Sequence, residues 1–157
     1  TNAGAASPLE LREIPRCLIR DFSWPILEEK NSYQRVLGLI VNNSNIHSFL
    51  EAVEDSEGVH AGGHTFIGGD GMNLFTSPND PLFYLHHAML DRVWAIWQSR
   101  DWPTRQNALD LTLTGRNFPP SANATVDDGM VMGNLSETRR IGDVMSTVGG
   151  HLCYVYD

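Results

Sequence analysis

Apolar positions recur at intervals of three and four through residues 81–100, more clearly than anywhere else in the chain. Leu82, Leu85, Met89, Val93 and Ile96 fall on one stripe, and Phe83, His87, Leu90, Trp94 and Trp97 on a second beside it. That spacing is the signature of an α-helix with a wide apolar surface. Asp80 precedes the run as an N-cap, Pro81 suits the first turn and Pro103 stops it, so a helix is predicted from about Asp80 to Arg100, covered on most sides. Shorter helices are predicted over 32–40 and 47–55, the second after the capping run Asn42-Asn43-Ser44-Asn45. From Gly115 to Gly133 the chain holds Gly, Pro, Asn and Asp with little periodicity, which predicts a long surface loop. The alternation HLCYVY at 151–156 predicts a short β piece. The fold class expected is mainly α, a helical bundle with long loops and little β.

The length of 157 residues with 41% hydrophobic positions fits one domain, or part of a larger one, able to bury a core without disulfides. Eleven Lys and Arg against nineteen Asp and Glu leave a net charge of −8. No basic run offsets it, which argues against nucleic acid or an anionic membrane as partner. The longest apolar stretch, Val36 to Val41, is broken by Gly38 and falls far short of the ~20 residues of a membrane span. The opening TNAGAASP lacks the charged start and apolar core of a signal peptide. Three N-x-S/T acceptor triplets, at Asn42, Asn123 and Asn134, lie in stretches that read as loop, so an extracellular glycoprotein is expected, its signal removed or carried elsewhere. Cys17 and Cys153, near opposite ends, leave open whether they pair.

The chemistry concentrates in the histidines. His60-Ala61-Gly62-Gly63-His64 puts two imidazoles one turn apart if the segment is helical, a ligand spacing that also arises by accident. Gly62 and Gly63 each disfavour a helix by about 1 kcal/mol relative to Ala. Either a bound ion helps hold the turn or backbone approaches closely there. His87 lies on the second stripe of the long helix, where an unpaired ring is costly to bury. Asp91, one turn on, is placed to accept the N–H of a ligating His87; the alternative is a core His–Asp hydrogen bond without metal. Ala61 stands where a zinc protease of the HExxH type needs Glu, so that reading fails. Three imidazoles suit copper, zinc, iron or nickel, and the residues alone leave copper and zinc level.

The string SPNDPLFYLHHAMLDRVWAIWQ, Ser77 to Gln98, closely resembles the second copper-binding region of the tyrosinase, catechol oxidase and haemocyanin family, whose sites hold two coupled coppers. The resemblance is strong from about Ser48 to Trp102. It implies that His60, His64 and the second histidine of the His86-His87 pair bind the copper called B, that Asp91 supports a ligand, and that Phe83 packs on a ligand ring. By the same match His86 is not a ligand. Tyr154-Val155-Tyr156 resembles the Tyr-x-Tyr motif that closes the family's catalytic domain. VHAGGHTFIGGD is most similar to short secreted fungal catechol oxidases, in which a small residue follows the first ligand; many tyrosinases carry Asn where this chain has Ala61. Leu74, thirteen residues before His87, resembles the position overhanging the copper entrance, and an ordinary loop-anchoring leucine is its equal alternative.

Copper A needs three further histidines upstream, and only His47 precedes His60. Residues 1–157 are therefore expected to be the C-terminal part of a catalytic domain, half of a four-helix bundle, with TNAGAASP as a loop of the kind proteases nick. The partner implied is an N-terminal fragment of the same precursor carrying copper A. The activity implied is oxidation of o-diphenols to o-quinones, with O2 reduced to water. The alternatives are a tyrosinase that also hydroxylates monophenols, a haemocyanin-like oxygen carrier, and a mononuclear zinc domain.

Overall fold

The protein is described by a computed structural model over residues 15–157; the TNAGAASP segment lies outside the described residues. Among the described residues six α-helices occur in the order α1 Trp24–Lys30, α2 Tyr33–Asn42, α3 Ile46–Glu54, α4 Val59–Ile67, α5 Pro81–Ser99 and α6 Trp102–Arg105. The long predicted helix is α5, with Asp80 capping the Leu82 N–H and Pro81 in its first turn. Asn45, the last residue of the predicted capping run, caps α3 by accepting from the Ser48 N–H. The short α1 was not anticipated: seven residues starting Trp-Pro are too few for a periodic signal.

Leu39 and Ile40 of α2, Phe49 and Val53 of α3, Val59 of α4, and Val93 and Trp97 of α5 form the core. The two stripes of α5 are covered unequally: Val93 is the one buried residue of the first, whose Leu85, Met89 and Ile96 stay exposed. Trp97 has no exposed surface, whereas Leu85 is 67% and Met89 49% exposed. The helix expected to be covered on most sides is thus covered in this chain around Val93 and Trp97 and left largely open at Leu85 and Met89, as half of a larger bundle would be.

Residues 19–23 run along the end of α4. Asp21 and Ser23 donate backbone N–H groups to Ile67 and Phe66 carbonyls, each at 2.9 Å, and the Asp70 N–H returns to Ile19. Gly68 and Gly69, at φ +63° and +48°, allow α4 to turn back so tightly. Two arginines pin the same segment. Arg16 grips Asp70 with two bonds of 2.7 Å, and Arg20 grips Asp80 with two of 2.8 Å. Both carboxyls are held below the ordinary value, in each case first by the arginine hydrogen bonds. A depressed folded-state value stabilises in full above the unfolded value of about 4, and that contribution is lost as pH falls through the folded-state values. Acidification below about pH 4 is therefore expected to release residues 16–23 ahead of the core. Falling amide-exchange protection at Ile19, Asp21 and Ser23, with Phe49 and Val53 still protected, would show it; retained protection at Ile19 would count against it.

Beyond α6 the chain is irregular, as predicted, apart from a two-residue antiparallel pair, β1 Gly129–Met130 with β2 Arg139–Arg140. The predicted β piece at 151–156 is not a strand. Tyr154 and Tyr156 both turn their hydroxyls onto Asp91, and side-chain anchoring replaces a ladder. Asn42, Asn123 and Asn134 are exposed. Cys17 and Cys153 are free and exposed.

Candidate metal centre

Four of the six histidines converge where α4 meets α5. His60 and His64 sit one turn apart on α4, whose glycines are explained by close packing. A Cβ on Gly63 would run into the His86 ring, meeting its Nε2 at 2.6 Å, and one on Gly62 would stand 2.7 Å from Lys30 Cβ. His47 lies elsewhere, on α3, paired with Asp110 and Glu51, and His151 lies beside Arg139.

Hydrogen bonds to pure acceptors set the tautomers. His64 Nδ1 donates to the Gly71 carbonyl at 2.9 Å, and His60 Nδ1 lies 3.1 Å from the Glu54 carboxylate. In the neutral ring each Nε2 is then a bare lone pair, yet the two Nε2 atoms face each other at 3.2 Å. Two lone pairs so close repel, and a cation between them resolves the conflict. Two nitrogens bound at about 2.0–2.1 Å to one ion near the tetrahedral angle stand about 3.3 Å apart, so the donor pair fits a metal. His87 Nε2 is buried without a hydrogen-bond partner among the described residues.

The imidazole that brings a ring nitrogen within 4.8 Å of those of both His60 and His64 is His86, not His87. Its chemistry differs. His86 Nε2 donates to the His60 carbonyl at 2.9 Å, its ring fills the notch over Gly63, and it does not line the cavity that His60, His64 and His87 share. His86 thereby braces α4 against α5 with its Nε2 engaged, while His87 Nε2 is left without a partner among the described residues.

Burial favours the neutral form of His64, His86 and His87, the form that binds metal. Desolvation leads the lowering at His64 and His87, with neighbouring rings adding to it, and it pushes His86 down to about 4. Phe83 lies against His87 with ring centroids 4.2 Å apart, and 5.9 Å from His64. The shared cavity has a volume of about 640 Å³, enough for a small aromatic molecule. Ala61, Met72 and Leu74 line it, Leu74 being 85% exposed at its rim.

Asp91 has other partners than the sequence reading assigned. It accepts the Tyr154 hydroxyl at 2.7 Å and the Tyr156 hydroxyl as well, and among the described residues no hydrogen bond joins it to His87. Burial first, then the Asp91 bond, raises both phenols, which stay protonated as donors. The carboxylate that does hold an imidazole is Glu54, at the end of α3; six residues before His60, it has no helical spacing to betray it.

The family described as the common central domain of tyrosinase matches residues 2–100. Tyrosinase-like protein orsC of Emericella nidulans is 47% identical over 100 residues, covering 64% of this chain and 27% of that protein. Tyrosinase P of Aspergillus terreus is 32% identical over 148 residues, covering 90% and 41%. Among solved structures, a variant of the polyphenol oxidase from Thermothelomyces thermophila superposes with a TM-score of 0.86 at 36% identity, over 99% of this chain and 46% of that one. The chain thus spans less than half the length of each of these relatives. With a family match over residues 2–100 and a matching fold over 99% of its length, the chain belongs to the tyrosinase family.

Proposed function

We propose that this chain supplies one copper site of a two-copper oxidase acting on o-diphenols, with His60, His64 and His87 as the ligands. The observation that carries the ligand set is the pair of unprotonated Nε2 atoms 3.2 Å apart beside the orphaned Nε2 of His87. The tyrosinase and polyphenol oxidase names of the relatives support copper and phenol chemistry. The chemistry that copper supplies when bound is electron transfer from diphenol to O2: two catechols become two o-quinones while O2 becomes two waters.

The protein's own part is positional. Glu54 and the Gly71 carbonyl orient the two α4 imidazoles. Phe83 limits the swing of His87. Ala61, Met72 and Leu74 give the cavity apolar walls that favour an aromatic ring over water. The second copper belongs, on this reading, to an N-terminal segment of the same precursor, and the open Leu85 and Met89 face of α5 is where added helices would pack. Native mass spectrometry of the protein from its source tests this; a lone chain holding a single metal overturns it. Secretion, with carbohydrate on the exposed Asn123 or Asn134, belongs to the same proposal and fails if peptide mapping finds all three acceptors unmodified.

Monophenols are expected to react much more slowly than diphenols. Hydroxylation first needs the phenol proton removed, and a base positioned for that is worth roughly 10²–10⁴-fold. Ala61 offers no polar group to hold a water, and Glu54, the only carboxylate lining the cavity among the described residues, is engaged with His60. The expected initial rate on tyramine is a small fraction of that on dopamine, and Ala61→Asn should raise the ratio about tenfold. Comparable rates in the native protein, or an unmoved ratio in the variant, would falsify the role given to Ala61.

A further inference from the structure

The lining of the cavity over the histidines includes one residue, Arg116, from a turn in the irregular C-terminal part of the chain. Thr112 and Asn123 pair across its base, Leu113 N–H donating to the Ala122 carbonyl at 3.0 Å. Inside, Thr114 Oγ1 donates to the Pro119 carbonyl at 2.6 Å, the Thr114 N–H to Ser121 Oγ at 3.0 Å and the Ser121 N–H to Asn117 Oδ1 at 2.8 Å. At the tip, Arg116 and Asn117 both take φ +53°, a left-handed conformation that side chains other than glycine seldom adopt. Consecutive left-handed residues persist only where their surroundings over-determine them, and such sites cluster where a side chain has to be aimed.

Arg116, at that tip, is among the residues that line the wall shared with His60, His64 and His87. It is the only Lys or Arg lining that cavity among the described residues. Arg16, Arg20 and Arg140 are each paired with a carboxylate; Arg116 has no hydrogen bond or salt bridge to any described residue. Glu54, the one acid in the wall, is turned to His60. A chain of net charge −8 repels anions at long range, so an unpaired guanidinium at the mouth creates a local exception.

We propose that Arg116 makes this site selective for phenols that carry a carboxylate. The ring enters between Leu74 and Phe83 towards the three histidines, and the acid stays at the mouth, where the planar guanidinium receives both carboxylate oxygens. The proposal rests on the reading of the site as phenol-oxidising, and it adds to that reading the charge of the substrate.

Dihydrocaffeate and its methyl ester, alike except for charge, test it on the native copper-loaded protein. The acid should have the higher kcat/KM. In Arg116→Gln the acid-to-ester ratio should fall about tenfold, through KM rather than kcat, and Arg116→Lys should recover part of it. Phenylpropionate, which cannot be oxidised, gives a readout free of turnover: its Kd by calorimetry should rise about tenfold in Arg116→Gln, and added salt should weaken its binding to the native protein more than to the variant. Equal losses on acid and ester, or an unchanged Kd for phenylpropionate, overturn the role of Arg116. Turnover of neither catechol would sink the phenol-oxidase reading alone, with the calorimetry still deciding the arginine.

Discussion

Replacing His87 by Ala should strip the metal from this site and drop turnover to background, while His86→Ala should keep the metal. The two residues are neighbours with similar burial, and both bring rings to the cluster, so composition and position do not separate them. Their hydrogen bonds do. His87 Nε2 is buried with no partner, which is costly unless a cation meets it. His86 Nε2 is already spent on the His60 carbonyl, and its ring occupies the space that the missing Cβ of Gly63 leaves. His86→Ala should accordingly cost stability, about 2 kcal/mol from the unpaired carbonyl and the void, without removing a metal donor. Elemental analysis and thermal unfolding of both variants decide the matter. Equal metal loss in the two would make His86 a ligand, and the assignment of the third donor would fail.

Trp97→Ala should be the most damaging core substitution in the chain, at about 3–5 kcal/mol. Trp97 has no exposed surface, stacks on Phe49 with centroids 4.8 Å apart, and carries the Arg105 guanidinium 4.4 Å from its ring centre. Its indole N–H donates to the Asn43 carbonyl at 2.7 Å, joining α5 to the end of α2. For a domain of this size that loss lowers Tm by roughly 10 °C or more. Leu85→Ala, on the open stripe of the same helix, should cost under about 1 kcal/mol in the chain described here, since little apolar area is lost from contact. A loss below about 1 kcal/mol at Trp97, or parity between the two variants, would show that the core is not organised around α5 as described.

Helix α5 was legible because its nineteen residues repeat the apolar period several times and carry a cap, a first-turn proline and a stop. The imidazole spacing on α4 was legible because i and i+4 share a helix face. The pairing of side chains distant in sequence was not. Arg20 meets Asp80 across 60 residues and Tyr156 meets Asp91 across 65, and no local pattern ties an arginine or tyrosine to one carboxylate among nineteen acids. The role of Asp91 was misread for that reason. One turn from His87 it has helical access to the ring, but two phenol hydroxyls arriving from the far end of the chain compete for it. The choice of His87 over His86 in the sequence rests on apolar register together with the resemblance to the second histidine of the family's pair, and the hydrogen bonds that distinguish the two rings exist only in three dimensions.

The stretch after α6 leaves helix α5 and returns to it. Gln98, buried, donates to the carbonyls of Gln106 and Met145, at 2.9 and 3.0 Å, and Tyr154 and Tyr156 close the circuit at Asp91. Residues 106–153 therefore form a module docked at both ends on one helix, while His60, His64 and His87 stand on α4 and α5 outside it. Lengthening such a module costs little, because closure entropy grows only with the logarithm of its length. New turns can be grafted or exchanged there, remaking the rim of the cavity and leaving the imidazoles in register. Diversity in what the site accepts and constancy in what it does are thereby assigned to separate stretches of one chain.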